Sequence, residues 1–369
     1  MEGETSHDEK LKIGIMGAAR IARKNAQAIN HLSSECVITA VASRDKHKAE
    51  KFVQEFISDM GSHHNVTIYE SYEDLLLENI CDAVYIPLPT KLHKKWVIQA
   101  LRSGKHVLVE KPVAVSVEDF SEMVQVAKEC GKFLLDGTMF VHNPRTKCFL
   151  EKIQNMEFDR IQSDFTFCGD EEFFKNDIRC RANGDPLGCI GDVGWYCIRA
   201  AILIYMAQNN NALVAATTVH TVHAITNDEG VPIDVTCLVY FGDKLLSFHC
   251  SFLHALRQEL EVRGSHSTVV IHDFVIPSDV FDPKYEIHSM DLNFMDLQAI
   301  KKIGVDTVET SSSQESYMWK TFSRLSRATD KSSLWNEEAS TLSDVSLHTQ
   351  LIVNAAVESI RQGCAKIQV

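Results

Sequence analysis

No pair among the eleven cysteines has the C-x-x-C spacing of a zinc site. Their odd number and wide scatter also do not fit a small disulfide-stapled scaffold. Cys180, Cys189 and Cys197 fall in and around a helical stretch, so reduced, buried thiols are expected. No zinc site is expected from the two close histidine pairs either. His63-His64 lacks convergent carboxylates or thiols, and His220 and His223, three apart on an expected strand, should face opposite sides of it. There is no internal repeat and no low-complexity tract. The longest apolar run, 193–207, is interrupted by Arg199 and reads as too short to cross a bilayer. Residues 1–10 form a polar, acidic tail without the apolar core of a signal peptide. The sequon Asn65-Val66-Thr67 therefore has no secretory context, and a cytoplasmic protein without a membrane partner is expected. Basic residues are outnumbered, 37 Lys and Arg against 50 Asp and Glu, for a net charge of −13. Such a chain is repelled by phosphate backbones, which argues against nucleic acid as a partner.

The chain has 369 residues, 45% of them hydrophobic, a length that points to two domains. Charge divides unevenly. Residues 1–150 carry 19 basic against 20 acidic side chains, and 151–369 carry 18 against 30. From Lys12 onward, strand-like runs (12–16, 37–42, 67–69, 83–86, 106–109, 133–135) alternate with helical patterns (18–32, 46–58, 72–78, 92–103, 116–129). That alternation means βαβ units and a doubly wound parallel sheet covered on both faces. Beyond residue 150 the texture is β-rich, at 160–167, 212–225, 235–241, 244–252, 258–263 and 268–272, with Gly242-Asp243 as a hairpin cue. A helix over 192–206 interrupts the series, 275–312 reads as irregular and 329–343 as a loop. The expected fold is an α/β Rossmann domain over 11–140, then an α+β domain over 141–369 with a large, mostly antiparallel open sheet. A final amphipathic helix, 343–362, could pack back on the first domain.

The first strand–helix junction reads Gly17-Ala18-Ala19-Arg20-Ile21-Ala22. A dinucleotide fold places G-x-G-x-x-G/A here, the first glycine making the turn and the helix N-terminus receiving a pyrophosphate. Ala19 replaces the second glycine. The second strand ends in Ser43-Arg44, with Lys48 one helical turn beyond, where an NAD-specific fold usually has Asp or Glu. A guanidinium pairs well with a 2′-phosphate, so NADP(H) is favoured over NAD(H). Arg20, Arg44, Lys48 and Lys111 supply local cations within a nearly neutral half.

Three further landmarks are Ile86-Pro87-Leu88-Pro89-Thr90 with His93, Val109-Glu110-Lys111-Pro112, and Gly191-Asp192-Val193-Gly194-Trp195-Tyr196. Together, and in this order, they resemble the glucose–fructose oxidoreductase/inositol dehydrogenase (Gfo/Idh/MocA) family. Within it the chain looks most like the branch of dimeric dihydrodiol dehydrogenases, NADP-dependent xylose dehydrogenases and their plant relatives. The resemblance implies a cofactor path along Gly17, Ala19, Arg20, Ile21, Ser43, Arg44, Lys48, Pro87, Pro89, Thr90, His93, Glu110 and Lys111. It implies that Lys111 lies near the reacting carbon, often before a cis proline, with Tyr196 as general acid/base and Asp192 orienting substrate or tyrosine. Asp192 and Tyr196, four apart on a helix, share a face. Phe140, His142, Arg179 and Trp195 are candidate substrate contacts.

The expected activity is hydride transfer between NADP(H) and a secondary alcohol or carbonyl of a sugar-like or cyclic diol substrate. A non-catalytic NADP or sugar sensor, or a glycosidase working through transient oxidation, remain as alternatives on the same fold. A homodimer through the C-terminal sheet is implied by the relatives. The plainer readings are a surface lysine at Lys111 and a core tyrosine at Tyr196.

Overall fold

The computed structural model describes residues 10–58, 65–293, 298–327 and 334–369. The 1–9 part of the polar tail, His63-His64 and the 329–333 part of the expected loop lie outside these. The chain folds as two compact units. The first holds residues up to Glu110, Phe120–Met139 and Ser313–Ser343, and the second holds Lys111–Asp119, Phe140–Ser312 and Asp344–Val369. The division therefore differs from a single cut at residue 140.

In the first unit a six-stranded parallel sheet has the order β3-β2-β1-β4-β5-β6. Its strands are β1 (Leu11–Met16), β2 (Cys36–Ala42), β3 (Thr67–Tyr69), β4 (Ala83–Ile86), β5 (His106–Val109) and β6 (Leu134–Asp136). Their connections run through α1 (Arg20–His31), α2 (Lys46–Val53), α3 (Tyr72–Leu77), α4 (Thr90–Arg102) and α5 (Val117–Cys130). The order reverses at β1/β4, the switch point where such sheets bind ligands. β4 is buried along its whole length, as a strand covered on both faces must be. Helices cap with local side chains: Asp45 opens α2 and Ser71 opens α3. In the C-terminal part of this unit, the Trp319 indole donates to Asn25 Oδ1 (2.8 Å). Asn25 Nδ2 donates to the Tyr85 hydroxyl (2.8 Å), which donates to Glu110 Oε1 (2.5 Å).

The second unit contains α6 (Pro144–Ile153), α7 (Glu171–Asn176) and α8 (Trp195–Gln208). Its sheet is built from β7 (Phe158–Cys168), β8 (Thr218–Thr226), β9 (Pro232–Phe241), β10 (Lys244–Ser251), β11 (Leu253–Gly264), β12 (Thr268–Ile271), β13 (Lys284–Asn293), β14 (Gln298–Thr307) and β15 (Ile367–Gln368). The order is β14-β13-β12-β11-β7-β10-β9-β8-β15, antiparallel except where β10 runs parallel to β7. Among the described residues, two more helices follow the long strands: α9 (Gln314–Ser326) in the first unit and α10 (Glu337–Arg361).

Several expectations need correction. Residues 275–312, read as irregular, contain β13 and β14 paired in register from Lys284↔Thr307 to Asn293↔Gln298. The loop expected to 343 ends at Asn336, whose Oδ1 accepts the Ala339 amide (2.9 Å) and starts α10. The polar Ser340, Thr341 and Ser343 hid that start. From Asp344 onward α10 belongs to the second unit. The apolar run around α8 is longer than its sequence suggested. Ile190–Gln208 has the length and hydropathy to cross a membrane, yet 89% of that window is buried inside the protein, as in a core helix. Arg199 sits within it at 1% exposure, its Nε donating to Thr349 Oγ1 (2.8 Å) and Nη2 to Ser346 Oγ (3.1 Å). Finally, His220 and His223 do not face opposite sides. A bulge sets Thr221 opposite Cys237 and His223 opposite Thr236, so His220, opposite Leu238, shares the face of His223.

Candidate active site

The first unit carries the turn proposed for a pyrophosphate. Gly17 has φ +104°, and its amide donates to Ala42 O (2.7 Å). A Cβ there would lie 3.0 Å from Leu88 Cδ2, so both conformation and space call for glycine. Ala19 is extended at the N-cap of α1 and offers no side-chain cap, and no acid stands in the first helical turn. The helix start therefore keeps its amide donors and its positive end unscreened. Arg20 is exposed and Ile21 half-buried beside it.

At the end of β2, Ser43 is buried and its hydroxyl accepts the Asp45 amide (3.2 Å). Arg44 is exposed and bonds the Tyr72 hydroxyl; burial pushes that phenol up and Arg44 opposes it. Asp45, overlooked in the motif reading, is the carboxylate nearest this strand end. Its Oδ1 accepts the Lys48 amide (3.1 Å), and Lys48 Nζ lies 3.7 Å from its other oxygen. Lys48, expected on the cofactor path, is thus paired with Asp45. Pro87 and Thr90 are buried, and Pro89 is the N-cap of α4. The His93 ring is also buried, with Nε2 2.7 Å from Leu88 O, and braces the turn from inside. The Glu110 carboxylate receives Tyr85 and lies against Gly137, where a Cβ would approach it to 3.0 Å.

The second unit holds the residues expected to handle the proton. Lys111-Pro112 is a cis peptide. Lys111 Nζ donates to Asp192 Oδ1 (2.5 Å) and to Asp192 O (2.9 Å), with side chains 12% and 14% exposed. The same ammonium lies 4.8 Å from the centroid of the Tyr196 ring, a cation–π distance. The Tyr196 ring packs against Phe140 and Phe165, at centroid distances of 6.0 and 5.7 Å. Asp192 stands on a π-helical turn, Ile190–Gly194, that leads into α8. Such turns are rare and recur at functional sites. Gly191 is required within it, because a Cβ would meet Leu187 Cβ at 2.6 Å and Pro112 Cγ at 3.1 Å.

Arg179 completes the cluster. Its Nη1 donates to Asp192 Oδ2 (3.2 Å), while Nε and Nη2 fork onto Asp177 at 2.9 and 3.0 Å. Its guanidinium also stacks 4.8 Å from the Phe173 centroid. Burial alone would raise the Asp192 carboxyl, but Lys111 and Arg179 outweigh it and hold the group below the usual carboxylate range. Burial likewise opposes the Arg179 charge, and Asp192 and Asp177 more than restore it.

Lys111, Asp192, Tyr196, Arg179 and Phe140 are therefore brought together. Trp195 is not: expected at the substrate, it is 0% exposed, with Arg199 5.2 Å over its ring. One residue along a helix turns the side chain by about 100°, which takes Trp195 into the core while Tyr196 faces Lys111. His142 is half-buried in the short turn Met139–His142. Asp177 was missed, and its signal was the spacing of a carboxylate two residues before Arg179.

Comparison with known proteins agrees with the motif reading. Residues 11–138 match the GFO_IDH_MocA family model, described as an oxidoreductase family with an NAD-binding Rossmann fold. The chain is 28% identical, over 76% of its length and 80% of the relative's, to dTDP-3,4-didehydro-2,6-dideoxy-alpha-D-glucose 3-reductase of Actinomadura kijaniata. It is 33% identical to D-xylose 1-dehydrogenase (NADP(+)) 2 of Haloferax volcanii, over 57% of this chain and 61% of that one. A third relative, trans-1,2-dihydrobenzene-1,2-diol dehydrogenase of Mus musculus, is 29% identical over 73% and 77% of the two chains. Among solved structures, a 3-ketoreductase of Actinomadura kijaniata in complex with NADP and TDP-benzene superposes with a TM-score of 0.76. It is 25% identical, with 96% of this chain and 98% of that one covered. The family match thus rests on residues 11–138, and the similarity to named reductases and dehydrogenases extends over about three quarters of the chain.

Proposed function

We propose that the chain is an NADP(H)-dependent oxidoreductase acting on a carbonyl or secondary alcohol of a sugar-like substrate. The observation that carries this reading is the Lys111 ammonium, fixed by Asp192 and laid over the Tyr196 ring. A dinucleotide fits the residues of the first unit: Gly17 leaves room where a Cβ would clash, and the start of α1 has no competing cap. NADP is favoured over NAD because Arg44 is exposed at the end of β2 while the neighbouring carboxylate, Asp45, is turned to α2. The names of the xylose dehydrogenase relative and the ketoreductase complex support the same choice.

The bound dinucleotide supplies or accepts the hydride. The chain's own residues handle the proton. The Tyr196 hydroxyl gives a proton to the substrate oxygen during reduction and takes it back during oxidation, and the Lys111 charge over its ring favours the phenolate form. Asp192 holds and aims the Lys111 ammonium, and Arg179, braced by Asp177, holds the second Asp192 oxygen. Phe140 and Phe165 keep water from the tyrosine ring. A keto sugar, free or nucleotide-linked, is the substrate class closest to the relatives' names, with cyclic diols behind it. The reading includes a cytoplasmic homodimer pairing through the second unit's sheet, which sedimentation would test.

The first experiment is titration of the purified chain with NADPH and NADH. Saturable binding with NADPH tighter is expected, and no binding of either would overturn the reading. Tyr196→Phe should then lower kcat by about 100-fold or more at unchanged NADPH affinity. Undiminished turnover would remove the role assigned to Tyr196.

A further inference from the structure

The open face of the second unit's sheet carries a cluster that the oxidoreductase reading does not use. Asp234 on β9 lies on that face, since its neighbours Val235, Cys237 and Val239 alternate into the core. Its side chain is nevertheless only 6% exposed, because histidines cover it. His249 Nε2 is 2.7 Å and His254 Nε2 3.7 Å from Asp234 Oδ1, and His223 Nε2 is 3.3 Å from Oδ2. These residues come from four strands. His249 pairs with Thr236 on one side of β9 and His223 with the same Thr236 on the other. His254 follows the bend after Ser251. The bulge in β8 is what presents His223 to this face.

We infer that Asp234, His249 and His254 form a binding site for a divalent transition-metal ion, with zinc the best match. Their ligand atoms lie within 4.8 Å of one another. A zinc ion with bonds of about 2.0–2.2 Å sets its ligands roughly 3.3 Å apart, so changes in side-chain torsion suffice. Two imidazoles and a carboxylate suit zinc, and calcium or magnesium would call for more oxygen ligands. The surroundings supply the outer partners that such sites use. Asp164, directly opposite His249 in the register, has Oδ1 3.8 Å from its Nδ1. On metal binding the His249 proton leaves Nε2, which becomes the ligand, and resides on Nδ1 facing that carboxylate. His223 orients the carboxylate through Oδ2, and water completes the coordination. In the single subunit His254 and His223 are 56% and 55% exposed, so an ion can enter before this face is covered by a second subunit.

The test is calorimetric titration of the full, chelator-stripped chain with Zn2+ at pH 7.5, alongside the absorption spectrum with Co2+. One equivalent is expected, with the strong visible bands of four- or five-coordinate cobalt. His254→Ala, an exposed position that leaves the core intact, should weaken binding at least 100-fold and abolish any rise in melting temperature on adding Zn2+. Asp164→Asn should weaken it about tenfold. His220→Ala, on the same face but outside the cluster, should bind as the wild type does. Absence of a stoichiometric site, equal affinity in His254→Ala, or the pale spectrum of octahedral hydrated cobalt would each overturn the inference.

Discussion

Lys111 is held from three directions, by a carboxylate, by a backbone carbonyl and by the face of an aromatic ring. Replacing it with methionine keeps the length and removes the charge. Lys111→Met should lower kcat by two orders of magnitude or more while leaving NADPH affinity within a few-fold, as steady-state kinetics and fluorescence titration would show. It should also destabilise the chain, though by less than the roughly 3–5 kcal/mol of a fully stranded buried charge, since Asp192 keeps Arg179. Asp192→Asn added to Lys111→Met should cost less than the sum of the two single changes, because the residues share one interaction. Lys111, Asp192 and Tyr196 were legible because short motifs of distinctive composition carry them. Arg179 was legible as a cation but not in its role, since its partners Asp177 and Asp192 are set by a loop whose course no periodicity encodes. Trp195, expected at the substrate, is fully buried while its neighbour Tyr196 lies against Lys111, a difference set by the packing of α8 that the sequence does not encode.

At the scale of elements, the start of β5 contains a pH-sensitive join. His106 Nδ1 accepts the Phe133 amide (3.0 Å) beside β6. Burial, reinforced by Lys132, lowers this imidazole from 6.5 to about 4. The unfolded chain therefore takes up a proton near pH 6.5 that the folded chain refuses until about pH 4. Stability is full above the upper value and falls with pH across that window, by about 3 kcal/mol in all. His106→Asn retains an acceptor without titrating, so its urea midpoint should change less between pH 7 and 4.5 than that of the parent. The parallel strands of the first unit were plain in sequence, being short apolar runs closed by glycine-ended helices. β13 was not, because its alternation is cut short. The apolar alternation of Tyr285 and Ile287 stops at Ser289, too short a repeat to mark a strand. The bulge in β8 also defeated a period-two reading.

Over the whole molecule, each unit is assembled from separated stretches of chain. The first unit includes α9, whose Trp319 anchors Asn25 and, through Tyr85, Glu110. A chain ending at residue 312 loses that anchor. It should be cleaved by a protease far faster than the full chain and should lose NADPH binding, while Trp319→Phe alone should cost about 1–3 kcal/mol by orphaning Asn25 Oδ1. Retained binding in the truncated chain would show that the anchor is dispensable. This discontinuity escaped the sequence because residues 313–327 carry no marker of which core they join, and packing, not order along the chain, decides it. It has a consequence for how the protein is made. The ribosome delivers the six-stranded sheet first and α9 only after nearly all of the nine-stranded sheet has emerged. The first unit must therefore wait, open along one flank, from β6 to α9, roughly half of the time the chain is being synthesised.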